Sequence, residues 1–234
     1  MILKRVGYYF FFAVIILMLS KCKQVPFKSE KITEGYIEYN IEYHGDSMDS
    51  FIQSFLPDKM QIKFKDHNLK NRMECMSGLF KLTNIKKYEE QTNISLVNFL
   101  NKKYKYIEKS TAPSLFFEQR PDVIIERTDS TKTIAGIICQ EAKITYPTNA
   151  SNQKEKFSIF YTNQIDIKGF NNQTPFESMD GVLLEFQLLF YDVPMKFTAT
   201  KIKQTSISSD EFEVPENYKR INRKTMKEII ELLK

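Results

Sequence analysis

The chain holds no tryptophan, only two histidines, three cysteines and seven glycines among its 234 residues, and each scarcity removes a class of chemistry. Seven scattered glycines cannot assemble the glycine-rich loop that cradles a nucleotide phosphate. The histidines lie beside turn residues, in His44-Gly45-Asp46 and Asp66-His67-Asn68. Neither has a nucleophile and an acid in its sequence context, nor the clustered partners of a metal site. Both read as loop histidines. Asp46 and Asp49 lie close together, yet their stretch lacks the spacing and closing glutamate of a calcium loop, so they read as solvated acids. The residues point to no catalytic group, no metal and no cofactor, and an enzyme is the disfavoured class.

A concentrated basic run is missing as well. The chain has 34 lysines and arginines against 29 acids, but Lys4, Arg5 and Lys21 fall in the first 21 residues, which contain no acid. Beyond them 31 basic and 29 acidic side chains remain, interspersed with apolar residues. Nucleic acid is therefore not an expected partner.

Nor is there a long apolar run. The stretch from Val6 to Leu19 spans about 14 residues, whereas a membrane-spanning helix needs roughly 20. It follows Lys4 and Arg5, the charge-then-apolar order of a secretory signal. Directly behind it, Leu19-Ser20-Lys21-Cys22 resembles the lipobox of bacterial lipoproteins, with Lys21 where a small residue is usual. The resemblance implies a signal peptide over 1–21, cleavage before Cys22, and a diacylglyceryl anchor on that sulfur. Each buried methylene of such an anchor contributes about 0.8 kcal/mol, so two chains hold firmly. Residues 22–34 then form a lipidated tether and 35–234 a single domain. No acidic cluster follows Cys22, which favours the outer membrane, facing the periplasm. Cys75 and Cys139 are left in a compartment that permits disulfides. They can pair, or each can serve as a small hydrophobe within its strand-like stretch.

What the sequence has in abundance is period-two alternation. In GYIEYNIEY, Ile37, Tyr39, Ile41 and Tyr43 share one side; in DKMQIKFKD, Met60, Ile62 and Phe64 do the same. These are half-buried strands. NLKNRMECM is a weaker strand and GLFKLTNI a shorter one. KYKYI, DVIIER, IICQEAKITY and KFSIFYT follow. GVLLEFQLLFYDVPMKFTATKI reads as two long strands about Tyr191 to Pro194, with Val182, Leu184, Phe186, Leu188 and Phe190 on one face of the first, opposite a second strand that begins at Met195 and Phe197. Such tight succession requires antiparallel pairing. Helical rhythm is confined to TMKEIIELLK, where Thr225 and Glu228 have capping-box spacing, and to a helical turn expected over 93–101.

The expected fold is mainly β: a curved antiparallel sheet of roughly eight to eleven strands with a C-terminal helix. A sheet with so much apolar face must be closed, doubled or capped. With a helix laid in its hollow, it would leave a cavity. Ile37, Tyr39, Ile41, Tyr43, Met60, Ile62, Phe64, Val182, Leu184, Phe186, Leu188 and Phe197 would line this cavity and suit an acyl chain. The alternative is that these side chains fill the hollow themselves.

EGYIEYNIEY, PDKMQIKFKDHNLKNRMECMSGLFKLTNI, KKYKYI, TIAGIICQEAKI, FSIFYTNQI and DEFEVPENYKRI together resemble a Bacteroidetes-type lipoprotein family labelled only as a domain of unknown function. In outline, such domains are similar to the carriers and receptors that move lipoproteins to the outer membrane. That resemblance implies an open half-barrel closed by helices around a hydrophobic cavity. It also implies an envelope protein held to the membrane by its lipid and binding a hydrophobic ligand or a lipid-modified partner. A structural or protein-interaction module of the envelope, or less favourably a hydrolase, is the competing expectation.

Overall fold

In the computed structural model, residues 30–44, 56–75, 78–115, 123–146, 155–190 and 193–231 are described. Strands dominate because alternation dominates. In chain order they are β1 (Glu34–Tyr43), β2 (Lys59–Lys65), β3 (Asn68–Cys75), β4 (Phe80–Lys87), β5 (Thr92–Phe99) and β6 (Lys102–Lys109). They continue with β7 (Ile124–Ile134), β8 (Ile137–Tyr146), β9 (Glu155–Thr162), β10 (Val182–Phe190), β11 (Val193–Gln204) and the two-residue β12 (Lys219–Arg220). One helix follows, α1 (Arg223–Glu231).

All twelve strands share one sheet in the order β12-β6-β5-β4-β3-β2-β1-β11-β10-β9-β8-β7. Every pairing is antiparallel except that of β12 with β6. The ends of this order do not pair with each other, so the sheet curves without closing into a barrel. Two-residue turns with left-handed backbone join consecutive strands at Asp66-His67 (φ 49° and 64°), Leu100-Asn101 (47° and 68°) and Ala135-Gly136 (46° and 83°). This geometry matches the strand twist and fixes the register of each hairpin.

The helical turn expected over 93–101 is instead strand β5. Its residues Asn93 to Val97 are all buried, because the strand is covered on both faces. A strand buried on both sides loses the alternation that identifies it, and its apolar residues then mimic a helical rhythm. Among the described residues the strand count also exceeds the expected eleven by one, since β12 is too short to leave a periodic signal.

The sheet is covered differently on each side. On the outer face, the chain after β11 crosses β1 to β6 as a strap with a 3-10 turn at Ser209–Phe212. Phe212 packs there with Ile85, Ile94, Leu96 and Ile207. Lys63 and Lys70 both bind Glu211, at 2.7 and 2.8 Å, and these hydrogen bonds hold its carboxyl down at about 2. The strap then runs beside the edge of β6 as β12 and turns into the hollow as α1. Asn222 caps α1, its Oδ1 accepting from the Thr225 backbone N–H at 2.9 Å. The cap thus lies three residues before the Thr225 expected from capping-box spacing, because the polar side chain at the chain's entry point is the one free to reach back. Met226 and Ile230 are fully buried in a cluster with Phe80, Leu82, Val97 and Cys75.

A second cover comes from the irregular segment 163–181 between β9 and β10. Its Phe176 is fully buried, edge-on to Phe157 at 6.5 Å. Ile32, in the stretch assigned to the tether, bridges Ile165, with reciprocal backbone hydrogen bonds of 2.8 and 2.9 Å to Gln164 and Asp166. The compact unit accordingly spans Lys31–Lys234.

Candidate ligand-binding cavity

Cross-strand register places the inward side chains of β2 to β6 in rows. Met60, Met73, Leu82, Val97 and Tyr104 form an apolar row. Beside it, Ile62, Asn71, Asn84 and Ser95 form a mixed row, and next to that Leu69, Lys86, Asn93 and Glu108 form another. On the far side of β1, Phe186 stacks on Phe197, with centroids 4.8 Å apart and planes 10° apart, while Tyr39 meets Phe186 edge-on at 5.9 Å. Between these walls and segment 163–181 lies a cavity of about 110 Å³.

Of the expected lining residues, Met60, Ile62, Phe186, Leu188 and Phe197 do line it. Ile37, Tyr39, Ile41, Tyr43, Phe64, Val182 and Leu184 do not. Ile37, Tyr39 and Phe64 are completely buried in the surrounding core, where side chains fill the hollow. Tyr39 donates its hydroxyl to the Leu183 carbonyl at 2.8 Å, and burial pushes that phenol far above its ordinary range. Tyr43 donates to the Pro57 carbonyl at 2.6 Å. Val182 and Leu184 are displaced by a register shift in β10 between Leu183 and Glu185. The extra residue of such a bulge interrupts the alternation, so Leu183 joins Phe186 and Leu188 at the cavity.

The residues that alternation missed are mostly polar or on the cover. Asn71, Asn84 and Lys86 occupy inward positions and line the cavity with Leu69, Met73, Leu82 and Met195. Phe170, Asn171, Asn172, Gln173, Thr174 and Phe176 close it from above. The legible signal was a polar side chain in phase with apolar neighbours, as in Leu69-Asn71-Met73 and Leu82-Asn84-Lys86. It was the very feature that made NLKNRMECM look like a weak strand.

Lys86 Nζ donates to the carbonyls of Asn172 and Phe170, at 2.7 and 3.4 Å. Burial lowers its ammonium to about 8, against a smaller opposing effect of the Glu177 charge. Gln173 Nε2 donates to the Ala112 carbonyl at 2.6 Å and reaches Glu108 at 3.4 Å, and its Oε1 accepts from Asn93. Segment 163–181 is therefore fastened to the polar rows through its backbone carbonyls and one glutamine.

The remaining candidates fall elsewhere. His44 is exposed. His67, in the β2–β3 turn, is half-buried, edge-on to Tyr88 at 5.6 Å, and its Nδ1 accepts from the Lys168 N–H at 3.5 Å. Cys75 and Cys139 are both buried free thiols. The pairing weighed from the sequence is absent because they belong to different core clusters, beneath α1 and beside Tyr39 respectively. Burial raises each thiol to about 11. Among the described residues no group of His, Cys, Asp or Glu is arranged to hold a metal, and no helix is long and apolar enough to cross a membrane. Cys22, Asp46 and Asp49 lie outside the described residues.

No protein-family model matches the chain, and no curated protein matches it. The geometry of the cavity therefore carries the functional argument.

Proposed function

We propose that this chain is a lipid-anchored, non-catalytic protein of the cell envelope, held by Cys22 in the outer membrane facing the periplasm. In this reading its open half-barrel binds a hydrophobic ligand or the acyl chain of a lipid-modified partner. The observation that carries it is the cavity itself: apolar walls from Met60, Ile62, Leu183, Phe186, Leu188 and Met195 under an irregular cover. Ligand sites are concave, mostly apolar and furnished with a few convergent polar groups, and this one has that composition.

Its size constrains the occupant. The cavity, about 110 Å³, is smaller than the roughly 150 Å³ void that admits benzene and the about 300–1,000 Å³ of ordinary ligand pockets. In the closed arrangement it admits only one end of a ligand, such as a head group with its first few methylenes. A full-length chain enters only if segment 163–181 shifts, against the hold of its buried Ile165, Ile167, Phe176 and Met179 as well as the polar contacts of Lys86 and Gln173.

Native mass spectrometry with lipid extraction, on protein lacking residues 1 to 22 and purified without detergent, tests the reading. An acyl-containing mass released on denaturation is the expected result; protein that stays free of ligand after incubation with envelope lipids would favour a filled interaction module. The same measurement on the full-length product reads the anchor, expected as a chain beginning at acylated Cys22 and missing from Cys22→Ser.

A further inference from the structure

The polar groups that hold the cover leave two atoms unexplained. Asn171 is 3 % exposed, and its Nδ2 donates to the carbonyls of Met179 and Gly181, at 2.8 and 3.1 Å. Those two bonds fix which end of its amide is which, and they leave Oδ1 enclosed without a donor. Asn71 Oδ1, across the cavity on β3, is enclosed and without a donor as well. Both residues line the cavity together with Lys86. Asn84, directly opposite Asn71, lies two residues before Lys86 on the same face of β4. Asn171 sits between the two residues whose carbonyls receive the Lys86 ammonium. The seam thus gathers two acceptors lacking donors beside a cation with no carboxylate at ion-pair distance among the described residues.

Resting on the reading of the cavity as a hydrophobic-ligand site, we propose that this seam is a head-group subsite for an amide-linked acyl chain. The amide N–H donates to Asn71 Oδ1, its C=O accepts from Lys86 Nζ, and the chain runs into the apolar half against Phe186, Leu188 and Met195. Enclosed acceptors select for a ligand that brings a donor, since a buried polar atom is paired in a settled site. An ester brings acceptors alone. A carboxylate meets Lys86 but turns lone pairs toward both asparagine oxygens. An amide places one donor and one acceptor on adjacent atoms, without charge.

The test uses the full chain in lipid nanodiscs, with binding to empty nanodiscs subtracted, and reads displacement of a fluorescent hydrophobe. The competitors are the N-methyl amide, the methyl ester and the free acid of one medium-length saturated chain, with the same chain on a short peptide amine to separate a free lipid from an acylated polypeptide. The amide is expected to bind about tenfold more tightly than the ester, and that preference is expected to vanish in Asn71→Leu. This substitution removes a bond-free acceptor from a strand, so the variant should fold with unchanged or higher Tm. Lys86→Met should weaken the amide and the ester alike, both of which offer Lys86 a carbonyl. Equal binding of amide and ester would overturn the head-group assignment and leave the cavity reading standing. So would tightest binding of the free acid, or an amide preference that survives Asn71→Leu. Failure of every competitor to displace the probe would overturn both.

Discussion

The hollow of this sheet is covered twice, and the two covers impose different chemistry on the strands beneath them. Under α1 the inward side chains are nearly all apolar: Leu82, Val97, Phe80 and Cys75 meet Met226 and Ile230. Under segment 163–181 the same strands, one row along, present Asn71, Asn84, Lys86 and Asn93. A helix satisfies its own backbone, so it asks nothing of the sheet but apolar area. An irregular segment brings carbonyls that need donors, and Lys86 and Gln173 supply or relay them. The loop-covered half therefore has polar furniture, a void and two enclosed acceptors, where the helix-covered half has a filled core. The polarity of an inward position here reports what lies above it, not a failure of the strand.

The largest effect that would break this comparison is Phe176→Ala. It removes a fully buried ring from the loop cover, with an expected loss of about 3–5 kcal/mol and increased binding of a hydrophobic dye as the hollow opens. Met226→Ala removes a fully buried side chain from the helix cover at about 2–5 kcal/mol. Its thermal melt should fall without the gain in dye binding. Equal dye binding in the two variants would mean that the covers are equivalent.

Smaller, and specific to the loop-covered half, is a pH effect at Lys86. Its folded ammonium titrates near 8, below its unfolded value, so between about 8 and 10.4 the unfolded chain binds the extra proton and stability rises with pH. Cys75 and Cys139 act the other way. Their thiols ionise more readily when unfolded, which lowers stability as pH climbs toward their folded value of about 11. The Lys86 contribution is therefore the difference between wild type and Lys86→Met. Denaturant melts at pH 7 and 9.5 should show the variant gaining more at the lower pH, by about 2 kcal/mol. The smallest effect lies outside the hollow. Glu211→Gln loosens the outer strap by on the order of 1 kcal/mol, since the Lys63 and Lys70 pairs are partly solvated. With its carboxyl depressed to about 2, the wild-type advantage is present above about pH 4.5 and fades as pH falls toward 2.

Much of this architecture was legible because antiparallel strands with one face in water print their alternation directly on the chain. Strands β1, β2, β8 and β9 were read within a residue or two of their observed bounds, as was the tight β10–β11 pair. The legibility ended where a second cover was added: β5 lost its alternation under the outer strap, and β3 looked weak because Asn71 faces a loop and not a helix. Seven of the twelve expected lining residues fell outside the cavity, six of them buried in the filled core, because alternation says which side a residue faces but not whether anything leaves room there.

By itself the sequence determined the strand pattern, the antiparallel succession and the amphipathic helix, since period and turn chemistry are local properties of the chain. Only the tertiary structure decided that segment 163–181 folds over the hollow, that the β10 bulge exchanges Leu184 for Leu183 at the cavity, and that Asn71 and Asn171 are enclosed without donors. Those outcomes depend on meetings such as that of Lys86 with backbone carbonyls 84 and 86 positions away, and no local pattern encodes them.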